Sequence, residues 1–147
     1  MRVVVQRSRA ARVSVGTEIV GQIENGLVCL VGIAPSDGIV QLRWMADKIV
    51  NLRIFEDENG KMNRSLLHEG GQILVISQFT LYGDCRKGRR PSYNGAARPE
   101  HAKPLIDTFC GLLKSHGVSV ETGRFGAEMA VSLTNQGPVT LIIDSKD

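Results

Sequence analysis

Residues 27–33 read Leu-Val-Cys-Leu-Val-Gly-Ile, a strand-length run without one polar side chain. A half-exposed strand alternates apolar and polar residues, so an unbroken run belongs to a strand covered on both faces. The fold must therefore supply packing layers on either side of this segment. Around it the pattern is also β: residues 2–8, 11–15 and 18–23 are rich in β-branched side chains, with Gly16-Thr17 and Asn25-Gly26 as separators. Asn-Gly tolerates positive φ at both positions and signals a hairpin. The first quarter of the chain is expected to be a β-meander of four short strands. Arg2, Arg7, Arg9 and Arg12 precede the first acid, Glu18, yet Val3, Val5, Val13 and Val15 alternate as a strand does. That alternation reads as mature structure and not as a presequence.

Beyond Pro35-Ser36-Asp37-Gly38 the period changes. Ile39, Leu42, Met45, Ala46, Ile49 and Val50 recur at steps of three and four, which predicts an amphipathic helix with Ser36 or Asp37 as its N-cap. Trp44 falls at the edge of this helix, where packing is the usual role of a lone tryptophan. Residues 52–55 are expected to form a short strand before a turn at 57–60, and residues 72–76 return to strand character. A second helix is expected over about 100–115, with a stripe of Leu105, Ile106, Phe109, Leu112 and Leu113 and a stop at Gly117. Pro104 is awkward there, and it predicts a kink or a start delayed to Lys103. Strands over 118–121, 128–133 and 139–143 complete the pattern, with Met129, Val131 and Leu133 on one face. The expectation is one α+β domain over residues 1–147: an antiparallel-rich, barrel-like β structure with two main helices.

Composition narrows the function classes. A chain of 147 residues buries enough core to need neither metal nor disulfide. Cys29, Cys85 and Cys110 are odd in number and lack metal-knuckle spacing, which fits a reduced, cytoplasmic protein with Cys29 and Cys110 in the core. No run approaches the length of a membrane span. His68, His101 and His116 show no ligand spacing, and no serine-hydrolase elbow or Walker loop occurs. Neither a metal nor an organic cofactor is expected.

Chemistry concentrates in Ser77-Gln78-Phe79-Thr80-Leu81-Tyr82-Gly83-Asp84, where the apolar run turns polar and leads into Arg86-Lys87-Gly88-Arg89-Arg90. Strand alternation would put Gln78, Thr80 and Tyr82 on one face, and a strand ending there would free backbone N–H groups near Phe79 and Thr80 for an oxyanion. The plain alternative is an edge strand with polar residues in solvent. For the basic loop, the two readings are a phosphate grip assisted by Tyr82 and Tyr93, or a solubilising surface. Gly137-Pro138 reads as a turn or as a cis peptide that fixes two carbonyls. These features alone leave open an enzyme on an RNA-linked ester, a noncatalytic RNA-binding module, and an esterase of small molecules.

Taken together and in order, several motifs resemble the D-aminoacyl-tRNA deacylase (D-tyrosyl-tRNA deacylase) family. They are the Met-Arg-x-Val-x-Gln-Arg opening, Asn-Leu-Arg-Ile-Phe at 51–55, Ser-Gln-Phe-Thr-Leu-Tyr at 77–82, the basic segment 86–91, Glu-Thr-Gly-Arg-Phe-Gly at 121–126 and Gly-Pro-Val-Thr at 137–140. The resemblance spans nearly the whole chain. Gly83 departs from it, standing where alanine is common, and Gln136 falls at a variable position. The resemblance implies a homodimer that hydrolyses the ester joining a D-amino acid to the terminal adenosine of tRNA, with glycyl-tRNA as a further substrate. Carried onto this chain, Phe79 and Thr80 would supply oxyanion-binding N–H groups, with Ser77 beside them in the catalytic motif. Gln78 would position the adenosine and Met129 would line its pocket. Gly137 and Pro138, cis in that family, would enter the partner's pocket and exclude an L side chain, with Arg7 supporting them. Arg86, Lys87, Arg89 and Arg90 would hold tRNA. With no base beside Thr80, the expected nucleophile is water, assisted by the substrate's own 2′-OH.

Overall fold

The computed structural model describes residues 1–145; Lys146 and Asp147 lie outside the described part. The first departure from the meander is that residues 2–15 form one strand, β1 (Arg2–Val15), not two. Its first half pairs antiparallel with β3 (Gly26–Gly32) and its second half with β2 (Glu18–Ile23). The last strand, β8 (Ala130–Asp144), runs antiparallel along both halves and so keeps β1 continuous. β2 and β3 each pair with β1 and not with one another, so Asn25-Gly26 is a crossover rather than a hairpin. Gly26 makes the crossover possible: its φ is +136°, and a Cβ there would lie 2.6 Å from the backbone N of Gln72.

β3 is the pivot of the molecule. It passes on to β6 (Gln72–Ser77) and then β7 (Ser119–Thr122), both parallel to it. Leu27, Cys29 and Val31 of β3, with Ile73 and Val75 of β6, face a core shared with the two long helices. Val28, Leu74 and Ile76 face a second core with Ala11, Val13 and Ile23, against which Met129, Val131 and Leu133 pack. The two faces together account for the apolar run, and they make a nearly closed, barrel-like mixed sheet flanked by helices in an α+β fold.

The first long helix, α1 (Ile39–Asn51), buries Leu42, Met45, Ala46, Ile49 and Val50. Its N-cap is Gly38 and neither Ser36 nor Asp37, with the Gly38 N–H donating to Gln41 Oε1 at 2.9 Å. Asp37 is taken by other partners: its buried carboxylate accepts from the Met1 ammonium and from the Ala34 N–H, each at 2.6 Å. The strand expected at 52–55 lies slightly later, as β4 (Phe55–Glu56) paired with β5 (Met62–Arg64). A short helix that periodicity could not reveal, α2 (Leu66–Glu69), follows with Ser65 as N-cap.

The second long helix, α3 (Pro99–Ser115), contains Pro104 without a delayed start. Pro104 is on the exposed side, so the Glu100 carbonyl that loses its i+4 donor is open to water. Gly117 ends the helix as expected, its N–H donating to the Lys114 carbonyl.

Candidate active site

At the carboxyl end of β6 the chain leaves the sheet. Strand alternation stops at Ser77, and Phe79–Tyr82 form a 3-10 turn, so Gln78, Thr80 and Tyr82 do not share a strand face. The change follows from hydrogen bonding: the Gln78 N–H still reaches the Val31 carbonyl at 2.7 Å, whereas the Leu81 N–H turns back to the Gln78 carbonyl at 3.2 Å. The N–H groups of Phe79 and Thr80 open the turn and have no acceptor within it. Gln78 Nε2 donates to Thr80 Oγ1, which occupies the hydroxyl as an acceptor.

The turn borders a cavity of about 540 Å³, a size suited to a small organic ligand. It opens where the three parallel strands end. Val31 and Ile33 come from the end of β3, Ser77, Gln78 and Phe79 from the end of β6, and Phe125 from the segment after β7. Carboxyl ends of parallel strands are a recurring ligand position because side chains and backbone groups there are free of the ladder. Met129 and Val131 form the wall from the β8 side, and Ala97, Arg98 and Ala102 close it from the start of α3.

Of the residues expected in the site, Ser77, Gln78, Phe79 and Met129 meet at this cavity, and Thr80 follows directly in the turn. Sequence reading missed Arg98 and Phe125, and it put Tyr93 with the basic loop, whereas the structure brings it to the cavity. The 121–126 motif was a usable signal for Phe125, but Tyr93 and Arg98 belong to a loop with no periodicity. Tyr82, expected beside the phosphate grip, lies under the Arg2 guanidinium, whose Cζ is 5.5 Å from the ring centroid. Among the described residues the lining includes no carboxylate, imidazole, thiol or amine, and Arg98 is its one charged side chain. Among the described residues no cluster of three or more His, Cys, Asp or Glu could hold a metal ion.

Gly137, Pro138 and Arg7 are not brought to this cavity. Expected to lie in a turn between two strands, Gly137-Pro138 instead falls within the single strand β8. Gln6 pairs with Thr140 and Ser8 with Asn135, so Gln136, Gly137, Pro138 and Val139 loop out opposite Arg7 alone. The Gly137-Pro138 peptide is cis. Arg7 is buried beneath the excursion, donating from Nε to the Gln136 carbonyl at 3.0 Å and from Nη1 to the Ile54 carbonyl at 2.7 Å. A Cβ at Gly137, where φ is +130°, would lie 2.9 Å from Arg7 Nη2.

The basic loop lies outside the lining and is closed at its base by an antiparallel bridge between Asp84 and Ser92. Arg86 folds back on Asp84 with Nε and Nη2 contacts of 2.9 and 2.7 Å. That side-chain hydrogen bond, helped by the Arg86 backbone N–H, holds the Asp84 carboxyl below the usual carboxylate range. Lys87, Arg89 and Arg90 remain exposed.

With this geometry in view, the comparison with known proteins is decisive: the model of the D-Tyr-tRNA(Tyr) deacylase family matches residues 4–144. The chain belongs to that family. It is 63% identical over 145 residues to the D-aminoacyl-tRNA deacylase of Brevibacillus brevis, covering 99% of this chain and 100% of the relative. To the D-aminoacyl-tRNA deacylase of Thermus aquaticus it is 59% identical over 147 residues, covering 100% and 97%. Among solved structures, one named c-Myc DNA Unwinding Element Binding Protein superposes with a TM-score of 0.93 at 38% identity, over the full length of both chains. Another, titled as a probable eukaryotic D-amino acid tRNA deacylase, shares the fold with a TM-score of 0.83 at 20% identity, over 97% of both chains.

Proposed function

We propose that the chain carries out the ester hydrolysis its family is named for within this cavity, releasing a D-amino acid from the 3′-terminal adenosine of tRNA. The observation that carries the reading is the pair of backbone N–H groups at Phe79 and Thr80, beside a cavity whose lining, among the described residues, includes no acid, imidazole, thiol or amine. Attack on the ester carbonyl creates an oxyanion, and removing one preorganised donor of this kind costs hydrolases about 10²–10³-fold in rate. Ser77 shapes the turn that presents the donors, Gln78 positions the adenosine and Met129 walls its pocket. Water is the nucleophile, oriented by the substrate's 2′-OH. Thr80 acts through its backbone, because its hydroxyl is engaged with Gln78 and no base adjoins it. Glycyl-tRNA, with no side chain to exclude, is a further substrate.

Stereoselectivity belongs to Gly137 and Pro138 of a second copy. The excursion is exposed and outside its own chain's cavity, which supports a homodimer in which each copy completes the other's site. Arg7 fixes the excursion from below. Lys87, Arg89 and Arg90 grip tRNA phosphates while Arg86, tied to Asp84, shapes the loop. No helix among the described residues is long and apolar enough to cross a membrane, and the three free cysteines support a reducing cytoplasm.

Deacylation of D- and L-tyrosyl-tRNA tests reaction and selectivity together. D-specific cleavage is expected, with substantial activity retained in Thr80→Val and little on tRNA ending in 2′-deoxyadenosine. Abolished activity in Thr80→Val would assign the chemistry to the hydroxyl, and equal cleavage of both enantiomers would remove the filter. Salt-sensitive binding without cleavage would leave a nucleic-acid-binding module. Activity indifferent to neutralising Arg89 and Arg90 would indicate a small-molecule esterase.

A further inference from the structure

Three groups at the mouth of the cavity have no part in the hydrolysis described above. Phe79 contributes its N–H to the turn, yet the residue is 55% exposed, and Tyr93 beside it is 39% exposed. The two rings meet edge to face, with centroids 5.1 Å apart and planes at 73°. Large aromatic rings left in solvent at a pocket rim lose hydrophobic stabilisation unless a ligand covers them. The third group is Arg98, exposed and, among the described residues, the one charged residue of the lining.

The rim is held by the fold. The Ala96 N–H donates to the Tyr93 carbonyl at 3.0 Å, and the Ala97 N–H to the Ile33 carbonyl at 2.8 Å. The Arg98 carbonyl accepts from the N–H groups of His101 and Ala102, which locks it to the first turn of α3. Gly83 gives Tyr93 its place: a Cβ there would lie 3.1 Å from the ring's Cε1. Exposed aromatic rings and a guanidinium lining the same cavity are the chemistry that takes one unpaired base and one phosphate of a single strand.

We propose that Phe79, Tyr93 and Arg98 form a subsite for the nucleotide 5′ of the ester-bearing adenosine, the rings taking its base and Arg98 the phosphate that links the two nucleotides. The proposal rests on the deacylase reading and extends it, because it locates where the enzyme distinguishes a polynucleotide from a lone aminoacyl-adenosine. The exposed cations of the 84–92 loop are left to more distant phosphates.

The test uses three esters of D-tyrosine: with tRNA, with the dinucleotide CpA, and with adenosine alone. Arg98→Ala and Tyr93→Leu are each expected to raise KM for the first two by at least about fivefold, the lower end of a stacking or phosphate contact. The kcat for these substrates and both constants for D-tyrosyl-adenosine should change less than about twofold, with recovery in Arg98→Lys and Tyr93→Phe. Inhibition by unacylated CpA and adenosine provides a second measurement: CpA should bind more tightly, and Arg98→Ala should erase the difference. Equal losses on all three esters would make these residues structural or part of the adenosine pocket, and unchanged KM for the dinucleotide ester would remove the subsite. Failure of the unmodified enzyme to cleave any ester would instead overturn the deacylase reading beneath it.

Discussion

Replacing Arg7 with methionine tests whether one buried cation holds the Gly137-Pro138 excursion in place. The guanidinium is 7% exposed and makes two charge-assisted hydrogen bonds, to the Gln136 and Ile54 carbonyls. At about 1.5–3 kcal/mol each, the two bonds contribute roughly 3–6 kcal/mol in gross terms. Methionine recovers part of that, since it removes a cation that is costly to desolvate and fills the volume of the aliphatic stem. The Ile54 and Gln136 carbonyls are left short of a donor, so a net loss of about 2–4 kcal/mol is expected. For a chain of this size that lowers Tm by roughly 5–15 °C. Lysine restores the charge but not the fork that reaches two carbonyls at once, so Arg7→Lys should lose at least half as much. Urea unfolding gives the stability, and amide exchange at Val139 gives its location, because that N–H is closed by Asn135 Oδ1 at 2.9 Å. A loss below about 1 kcal/mol, or unchanged protection at Val139, would refute the idea that Arg7 braces the excursion.

Three other perturbations probe the frame around the site. Gly26→Ala sets a Cβ against the Gln72 backbone at φ +136° and should cost about 3–5 kcal/mol, whereas Gly60→Ala, at φ +73° with open space around it, should cost only about 1–2 kcal/mol; similar losses would show that β3 and β6 can part cheaply. Burial pushes the Cys29 thiol up to about 12 and the Cys110 thiol up to about 11, while Cys85 is exposed, so a thiol reagent at mildly alkaline pH should modify Cys85 fast and the other two only after unfolding. The Arg2 hydrogen bond holds the Asp144 carboxyl below its ordinary value, so its contribution is complete above the unfolded pKa and disappears as pH falls through the lower folded one. With Arg2 and Asp144 side chains 38% and 54% exposed, Asp144→Asn should lower the urea midpoint only slightly near neutrality and not at all in strong acid; a difference that grows on acidification would contradict the sign.

The sequence exposed what repeats and concealed what depends on partners. The apolar run at 27–33 announced a strand covered on both faces, and the stripes in α1 and α3 announced their buried sides, because burial imposes a period. Asp37 looked like an N-cap, but nothing local reveals that its carboxylate faces the Met1 ammonium 36 residues away. The split of β1 between β2 and β3 was equally hidden, since alternation within a strand does not name its neighbours. At the site, the polar motif was legible and its conformation was not: residues 77–84 alternate plausibly as a strand, yet the turn begins where the Leu81 N–H finds the Gln78 carbonyl. Tyr93 and Arg98 reach the cavity through a loop whose path is fixed by contacts with Ile33 and Gly83, which no spacing encodes.

On the proposed reading, the placement of the turn also accounts for a site with so few reactive side chains. β6 lies between β3 and β7, its pairing with β7 ending at Val75 and that with β3 continuing to Ser77. The Gln78 N–H is still held by the Val31 carbonyl, so the next two donors, those of Phe79 and Thr80, follow a fixed residue and have no partner among the described residues. Oxyanion binding requires this combination, because a donor that must reorganise returns much of its stabilisation as reorganisation cost. In the proposed mechanism, a site built from backbone donors, with the 2′-OH supplied by the substrate, would confine activation to an ester already seated on the terminal ribose. Discrimination between enantiomers can then be purely steric and come from outside the cavity, which is the role open to an exposed excursion braced by Arg7.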